Sequence, residues 1–206
     1  LDIPVFSDDQ HSSAVVVMAA LINALNLVEK KISEIRTVIF GAGVAGIAAA
    51  RLMRYAGAKE ITVLNKCGIL GPGNGCMNFV QEELAAQLGQ TRGGGGLDEA
   101  VRGADVLIGL SSKGRFTADH IRSMKPGSVV MALSMPEPEI SVDEALEAGA
   151  DVFADGLPWT PNSMPNLHAY PGIARGLLDV RARGLNENIL MAAARAIAGA
   201  VDRKRL

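Results

Sequence analysis

The sequence predicts an α/β protein whose sheet is doubly wound and mostly parallel, with helices on both faces. Two observations carry this prediction. A β-branched run over 36–40 passes through a glycine-rich turn into a helix of small residues, and further continuous apolar strands then alternate with helices. Continuous rather than alternating apolar strands are typical of parallel sheets covered on both faces. The length, 206 residues with 49% hydrophobic residues, suits one such domain with its own core.

The glycine-rich turn is typical of a Rossmann-type dinucleotide site. The first glycine permits a sharp turn, the second lets a diphosphate approach the backbone, and the third lets the helix lie close to the strand. The diphosphate then sits on free N–H groups at a helix N-terminus. A tight turn without a ligand is the alternative, but the preceding strand and following helix favour binding. We assign the cofactor diphosphate to Gly41, Ala42, Gly43, Val44, Ala45 and Gly46.

The remaining elements follow from the same patterns. A strongly apolar helix precedes the first strand, with Ser12 or Ser13 as its N-cap. The four glycines over 93–96 are expected to be disordered. The predicted helices cover 14–30, 45–55, 80–88, 97–102, 117–124, 142–148, 172–183 and 186–201, and the predicted strands cover 36–40, 60–64, 105–110, 128–133 and 151–154. We divide the chain into a leading segment with its helix (1–30), a Rossmann core (31–184) and a C-terminal helix of the same domain (185–206).

Composition and charge exclude several classes of function. The formal net charge is -2 and the basic residues are scattered, so no nucleic-acid partner is expected. The most apolar segment, 14–27, is shorter than a bilayer span and contains Asn23 and Asn26, so no membrane helix is predicted. Cys67 and Cys76 make neither a zinc pair nor a disulfide framework, and no secretory signal opens the chain. A reducing, cytoplasmic location fits these observations best.

Five segments in this order resemble the cofactor domain of the malic enzymes, in particular the compact bacterial and archaeal type. The segments are IPVFSDDQH over 3–11, the turn over 41–46, ADVLIG over 104–109, PEPEI over 136–140 and YPGIARGLLDVRA over 170–182. The resemblance implies that malate is oxidised by hydride transfer to NAD or NADP and then decarboxylated to pyruvate and CO2. It also implies a small-molecule substrate, malate or a related acid, and a homodimer or higher homo-oligomer.

The resemblance assigns metal and substrate residues as well. Asp9 matches the family's metal-ligand aspartate and Asp8 its acidic neighbour, and their carboxylates suit Mg²⁺ or Mn²⁺. Capping of the following helix is the alternative for both. Asn166 matches a substrate-binding asparagine, whereas Met135 stands where the family has a second one. Because a methionine cannot donate to a carboxylate, the substrate loop is altered.

The family's proton-transferring Tyr and Lys, and two further carboxylate ligands, belong to a domain N-terminal to these residues. Catalytic residues are therefore unassigned, an N-terminal substrate domain is an expected partner, and these 206 residues alone are expected to be inactive. Tyr55 and Tyr170 are interpreted as packing residues. His11, His120 and His168 stand without a placed partner and define no mechanism.

The end of the second strand bears on the choice of cofactor. An NAD-preferring fold usually places an acid there against the ribose 2′-OH, and this sequence has Asn65. Asn65 can bond a hydroxyl without repelling a phosphate and Lys66 could attract one, although a lysine pointing to solvent is the alternative. NADP is therefore at least as favoured as NAD. Ser111 follows a later strand at the same sheet edge and is included among the cofactor residues.

Two other functions remain open at this point. One is an amino-acid-dehydrogenase-type Rossmann domain that acts on another acid. The other is a non-catalytic nucleotide-sensing module, which Met135 and Pro165 favour and the Asp8–Asp9 pair opposes.

Overall fold

A computed structural model describes residues 5–201 of the chain. A π-helical segment, Asp8–Ser12, leads into the first α-helix, and a 3-10 turn, Asn166–His168, precedes the seventh. The helices are α1 (Ser13–Leu27), α2 (Val44–Tyr55), α3 (Phe79–Gln87), α4 (Leu97–Val101), α5 (Ala118–Arg122), α6 (Val142–Glu147), α7 (Tyr170–Asp179) and α8 (Glu187–Ala200). The strands are β1 (Arg36–Phe40), β2 (Glu60–Asn65), β3 (Gly68–Ile69), β4 (Val106–Gly109), β5 (Val129–Ala132) and β6 (Val152–Asp155).

The six strands form one sheet in the order β3-β2-β1-β4-β5-β6. All neighbours are parallel except β2 and β3, which are antiparallel. The chain therefore winds outward from β1 in both directions, and the predicted doubly wound, mostly parallel sheet is confirmed. Strand order reverses between β1 and β4, where Phe40 lies beside Gly109. In such sheets the ligand site lies outside the carboxyl ends of the strands at this point.

Helices cover both faces of the sheet. Ile39, Ile108 and Met131 belong to one core with α1, α2 and α8, whereas Val38 and Leu107 belong to a second core with α4, α5 and α6. Successive residues of each strand thus face opposite cores. This explains why β4 and β5 are buried at every position and lack polar side chains.

The leading helix is longer at its start than predicted. It continues without a break from the π-helical segment at Asp8 to Leu27, so its predicted end at residue 30 is wrong. Ser12 and Ser13 do not cap it, because both are buried within the helix and neither makes a capping bond. At 20 residues it is long and apolar enough to cross a membrane by length and composition, yet 56% of its most apolar 18-residue stretch is buried inside the protein. The prediction that this segment is too short to span a bilayer is therefore wrong. Its apolar composition is that of a core helix.

The region after β2 corrects two predictions. The four-glycine run is ordered, because the Gly94 N–H donates to the Ile69 carbonyl at 2.9 Å and its carbonyl accepts from Ile69 at 3.2 Å. Cys67 and Cys76 form a disulfide with their Cα atoms 6.2 Å apart, so the expectation of no disulfide is wrong. The turn into β3 brings these cysteines together although nine positions separate them. Cysteine usage therefore no longer supports a reducing compartment.

The C-terminal elements differ from prediction in their limits. The stretch 155–171, between the last predicted strand and the helix predicted from 172, contains the 3-10 turn and the first residues of α7, whose first turn includes a proline. Helix α7 ends at Asp179 rather than at 183. Ile3 and Pro4 of the first resembling segment, and 202–206 of the predicted C-terminal unit, lie outside the described residues.

Candidate functional site

The glycine turn joins β1 to α2 as predicted, and its glycines differ in their surroundings. Gly41 has a φ of +125°, and a Cβ there would clash with the Leu110 carbonyl. A Cβ on Gly46 would clash with the Gly41 carbonyl oxygen, whereas a Cβ on Gly43 would meet no atom within 4 Å. Gly43 therefore borders open space in which the backbone can be approached closely.

The N-terminus of α2 is available to an anion. Gly43 is its N-cap, and no side chain caps the first turn that contains Val44, Ala45 and Gly46. Uncapped N–H groups at a helix N-terminus bind phosphate. The turn is held from behind, since Gln81 Nε2 donates to the Ala42 carbonyl at 2.9 Å. The geometry therefore matches a diphosphate cradle on a fixed support.

A cavity of about 470 Å³ opens beside this turn, at the carboxyl ends of β4 and β5. Residues predicted for the metal, the cofactor and the substrate all line it, and they are Asp9, Ala45, Ser111, Met135 and Asn166. They come from distant parts of the sequence. The fold therefore brings three separately predicted groups to one place.

Asn166 and Asp9 reach this cavity from neighbouring elements. The Asn166 Nδ2 donates to Ser13 Oγ at 3.0 Å, which fixes the amide against α1. Asp9 lies in the π-helical segment, where Ser7 and not an aspartate occupies the N-cap position. Asp8 is exposed and does not line the cavity. The structure therefore separates the two predicted metal ligands, with Asp9 alone at the cavity.

Met135 also lines the cavity and is 59% exposed. Its thioether offers at most a weak acceptor and no donor. Among residues 5–201 no group of three or more His, Cys, Asp or Glu side chains is placed to hold a metal ion. Within the described part of the chain, Asp9 is thus the one carboxylate that lines this cavity.

A second cavity, of about 590 Å³, lies at the carboxyl ends of β1 and β2. The predicted residues Asn65 and Lys66 line it. Arg115, Thr117 and His120 also line it, and sequence reasoning did not assign them to the cofactor. The Thr-x-x-His spacing is a sequence signal for the start of α5, because Thr117 and His120 form a reciprocal capping box there.

Asn65 already has partners in its own loop. Its Oδ1 accepts from the Cys67 N–H at 2.8 Å and from Asn74 Nδ2 at 2.9 Å, and its Nδ2 lies 3.3 Å from Gln81 Oε1. Lys66 is exposed, and no ion pair involves it within residues 5–201. Lys66 is therefore the freer of the two to contact a cofactor, while Asn65 shapes the loop.

The histidines have structural surroundings. His11 Nδ1 accepts the Ser7 N–H at 3.0 Å, its ring lies 5.4 Å from the Phe6 ring, and burial lowers its pKa below the usual value. His120 Nε2 lies 2.9 Å from Asp98 Oδ1. His168 is exposed in the 3-10 turn. None of these contacts defines an acid–base pair within the 470 Å³ cavity.

The family of this chain is decided by comparison with known proteins. The sequence model of a family described as malic enzyme, NAD binding domain, matches residues 10–206. The chain belongs to the malic enzyme family. The bifunctional malic/malolactic enzyme of Bacillus subtilis is 42% identical over 100% of this chain, and the NADP-dependent malic enzyme of Halomonas elongata is 39% identical over 95% of it. The crystal structure of NAD-dependent malic enzyme from Thermotoga maritima superposes with a TM-score of 0.92 at 38% identity and covers 98% of this chain.

Membership in the malic enzyme family confirms the predicted resemblance and rules out the amino-acid-dehydrogenase alternative. The matched part is the family's NAD-binding domain, in agreement with the doubly wound sheet and the glycine turn. The chain spans about half the length of these relatives, namely 50%, 46% and 54%. The other half of each relative has no counterpart in the sequence of this chain.

Proposed function

We propose that this malic-enzyme domain binds NAD or NADP for the oxidative decarboxylation of malate to pyruvate and CO2, and that an N-terminal substrate domain completes the site. The observation that carries the proposal is the meeting of Asp9, Ser111 and Asn166 in one cavity beside the glycine turn. The half-length match to malic enzymes supports the need for a further domain.

The two cavities suit the two halves of the cofactor. With the diphosphate on α2, the adenosine half extends to the cavity lined by Lys66 and the nicotinamide half to the cavity lined by Ser111. When bound, the cofactor accepts a hydride from the substrate. The Asn166 amide uses one N–H on Ser13 and keeps a second for a substrate carboxylate. Val16 and Leu133 add apolar side chains to the wall of the same cavity.

The substrate loop has one amide fewer than the family resemblance implies. Met135 occupies that position beside the cavity and supplies no hydrogen bond. Loss of one bond of this kind weakens binding by roughly ten- to a hundredfold. We therefore propose that the longer protein has a lower affinity for malate than the family resemblance implies, or that it acts on a related acid.

Mg²⁺ or Mn²⁺ is proposed for the longer protein only. Asp9 suits such a cation, which prefers oxygen ligands. A single carboxylate does not make a complete site for it. The remaining ligands are assigned to the N-terminal substrate domain. We also propose a homodimer or higher oligomer.

The choice between NAD and NADP rests on Lys66. Its exposed ammonium lines the adenosine-side cavity and would attract a 2′-phosphate. Lys66→Ala should weaken NADP binding by about two- to fivefold and leave NAD binding unchanged, as loss of an exposed ion pair predicts. Lys59→Ala, at the exposed amino end of β2, is the control. An unchanged NADP affinity in Lys66→Ala would mean that the Lys66 side chain points to solvent and does not contact the cofactor.

Calorimetric titration of Gly43→Val tests cofactor binding itself. The valine side chain would enter the open space in front of the turn and exclude the diphosphate, without a clash inside the protein. Gly184→Val is the matched control, because a Cβ there also meets no atom within 4 Å and it lines neither cavity. We expect NAD and NADP binding to be lost in Gly43→Val and kept in Gly184→Val. Equal affinity in the two variants would remove the basis for the assignment.

A further inference from the structure

Glu139 is a buried acidic residue at the carboxyl edge of the sheet to which the cofactor assignment gives no role. It is 0% exposed, and its side chain points back to the ends of β4 and β5. Its Oε1 accepts the Ser111 N–H at 2.9 Å and its Oε2 accepts the Ser134 N–H at 3.0 Å. One carboxyl group therefore ties together the two loops that leave adjacent strands.

The end of β4 is shaped to receive this carboxyl group. Gly109 is the last residue of β4, and a Cβ there would come within 2.7 Å of both carboxyl oxygens of Glu139. No basic side chain within residues 5–201 forms an ion pair with Glu139. Its buried oxygens accept from backbone N–H groups alone, so the carboxylate directly fixes the backbone at Ser111 and Ser134, while the Lys113–Glu137 pair between the same loops is exposed.

The two residues whose N–H groups donate to the Glu139 carboxylate, Ser111 and Ser134, line one cavity and not the other. Ser111, Ser134 and Met135 all line the 470 Å³ cavity. Arg115 and Thr117, which lie further along the same loop as Ser111, line the 590 Å³ cavity. Between them, the Phe116 N–H donates a hydrogen bond to the Glu139 backbone carbonyl at 3.1 Å. Substitution of the Glu139 side chain leaves this contact in place.

We propose that Glu139 is a positioning residue, which fixes the loops around Ser111 and Ser134 for the nicotinamide half of the cofactor and for the substrate beside it. The inference rests on the proposed cofactor function. It predicts that loss of the carboxylate weakens recognition of the nicotinamide half and spares the adenosine diphosphate half.

The test compares NADH with ADP-ribose, which lacks the nicotinamide, in calorimetric titrations of Glu139→Gln and wild type. A glutamine presents one acceptor and one N–H donor where Glu139 presents two acceptors, so one loop is repelled. We expect NADH affinity to fall about ten- to a hundredfold and ADP-ribose affinity to stay within about twofold. Glu137→Gln is the matched control, because Glu137 lies in the same loop with an exposed side chain that pairs with Lys113.

Further variants and measurements separate the possible outcomes. Gly109→Ala displaces the same carboxyl group from the β4 side and should give the same selective loss. In the wild type, the Ser111 and Ser134 amide protons should be protected from hydrogen exchange. Parallel losses for NADH and ADP-ribose in Glu139→Gln, or rapid exchange of both amides, would overturn the positioning role. Failure of wild type to bind either ligand would instead overturn the proposed cofactor function.

Discussion

At the scale of single residues, the glycine turn predicts two unequal responses to the same substitution. Gly46→Ala places a Cβ against the Gly41 carbonyl oxygen, whereas Gly43→Ala places one in open space. Overpacking should lower the free energy of unfolding of Gly46→Ala by about 1–3 kcal/mol, and the poorer N-cap should lower that of Gly43→Ala by less, no more than about 1 kcal/mol. Urea denaturation measures both. An equal loss in the two variants would show that the helix does not lie against the turn as described.

His11 predicts a dependence of stability on pH. Because burial holds its pKa below the usual value, the unfolded chain binds more protons than the folded one as the pH falls. Its contribution is fully present above about pH 6.5, the unfolded value, and is lost as the pH falls through the folded pKa. His11→Asn keeps an acceptor for the Ser7 N–H and removes the titration, so urea denaturation should show a smaller loss of stability below pH 6.5. His168→Asn, at an exposed site, should retain the wild-type pH profile, and an unchanged profile in His11→Asn would contradict the account.

Single residues were predictable where their reason is local. The roles of Gly41 and Gly46 follow from backbone geometry within one strand–turn–helix unit, and both are found as predicted. The contact between Ser13 and Asn166 spans 153 positions and has no local signal. In the sequence, nothing distinguishes Glu139 from the rest of the segment over 136–140. Its burial depends on loops that meet only in the folded sheet.

At the scale of elements, Asp105 joins the amino ends of β1 and β4. Its Oδ2 accepts the Arg36 N–H at 2.8 Å, and Lys30 and Lys125 contact the carboxylate at 2.9 and 3.2 Å. Burial opposes its ionisation, but these donors outweigh burial and hold the pKa of Asp105 below its usual value. Stability from this group is thus present above about pH 3.9, the unfolded value, and is lost as the pH falls through the folded pKa.

Asp105→Asn tests this connection between strands. The variant weakens three contacts to a buried carboxylate and should lower the free energy of unfolding at neutral pH by about 1.5–3 kcal/mol. Asp119→Asn removes an exposed pair with Arg122 and should change it by less than about 1 kcal/mol. Chemical denaturation of both variants is the measurement. Equal effects would mean that the buried pairing does not stabilise the sheet edge.

The Cys67–Cys76 disulfide closes the loop between β2 and α3 and should stabilise it. Replacing both cysteines by serine should lower the free energy of unfolding by about 2–3 kcal/mol, the loop-closure value for a ring of this size. Dithiothreitol should cause the same loss in the wild type and none in the double variant. Wild-type stability that is insensitive to dithiothreitol would show that the bond does not form in solution.

Long elements were predictable and short pairings were not. Apolar runs such as those of β1, β4 and β5 fill both cores, so their composition alone shows that they are buried. Strand β3 has two residues and therefore no periodic pattern, and its partner Gly94 lies in a run whose composition indicates flexibility. Sequence shows where an element can form, whereas these contacts depend on which elements become neighbours.

At the scale of the whole molecule, the account predicts that this chain binds cofactor but does not turn over malate. One carboxylate at the cavity leaves the proposed divalent metal site incomplete, and the described residues place no acid–base pair there. Cofactor reduction with malate and Mn²⁺ should be undetectable for the 206-residue chain and measurable once a malic-enzyme N-terminal domain is joined to it. Robust turnover by the chain alone would contradict the need for that domain.

The proposed effect of Met135 on substrate binding is tested in the joined protein. Restoring an amide with Met135→Asn should lower the KM for malate by about tenfold, the value of one hydrogen bond to a carboxylate. Leu146→Asn, an exposed apolar residue of α6 outside both cavities, is the control. A KM indifferent to Met135→Asn would mean that this loop does not face the substrate.

The central proposal is that the glycine turn holds the cofactor diphosphate and that the 470 Å³ cavity, lined by Asp9 and Asn166, receives the nicotinamide half. A crystal structure of the chain with NAD or NADP tests it most directly. The account predicts diphosphate oxygens within hydrogen-bond distance of the first-turn N–H groups of α2, and the nicotinamide ring beside Ser111 and Asn166. A diphosphate bound away from Gly43, or a nicotinamide in the cavity lined by Lys66, would contradict it.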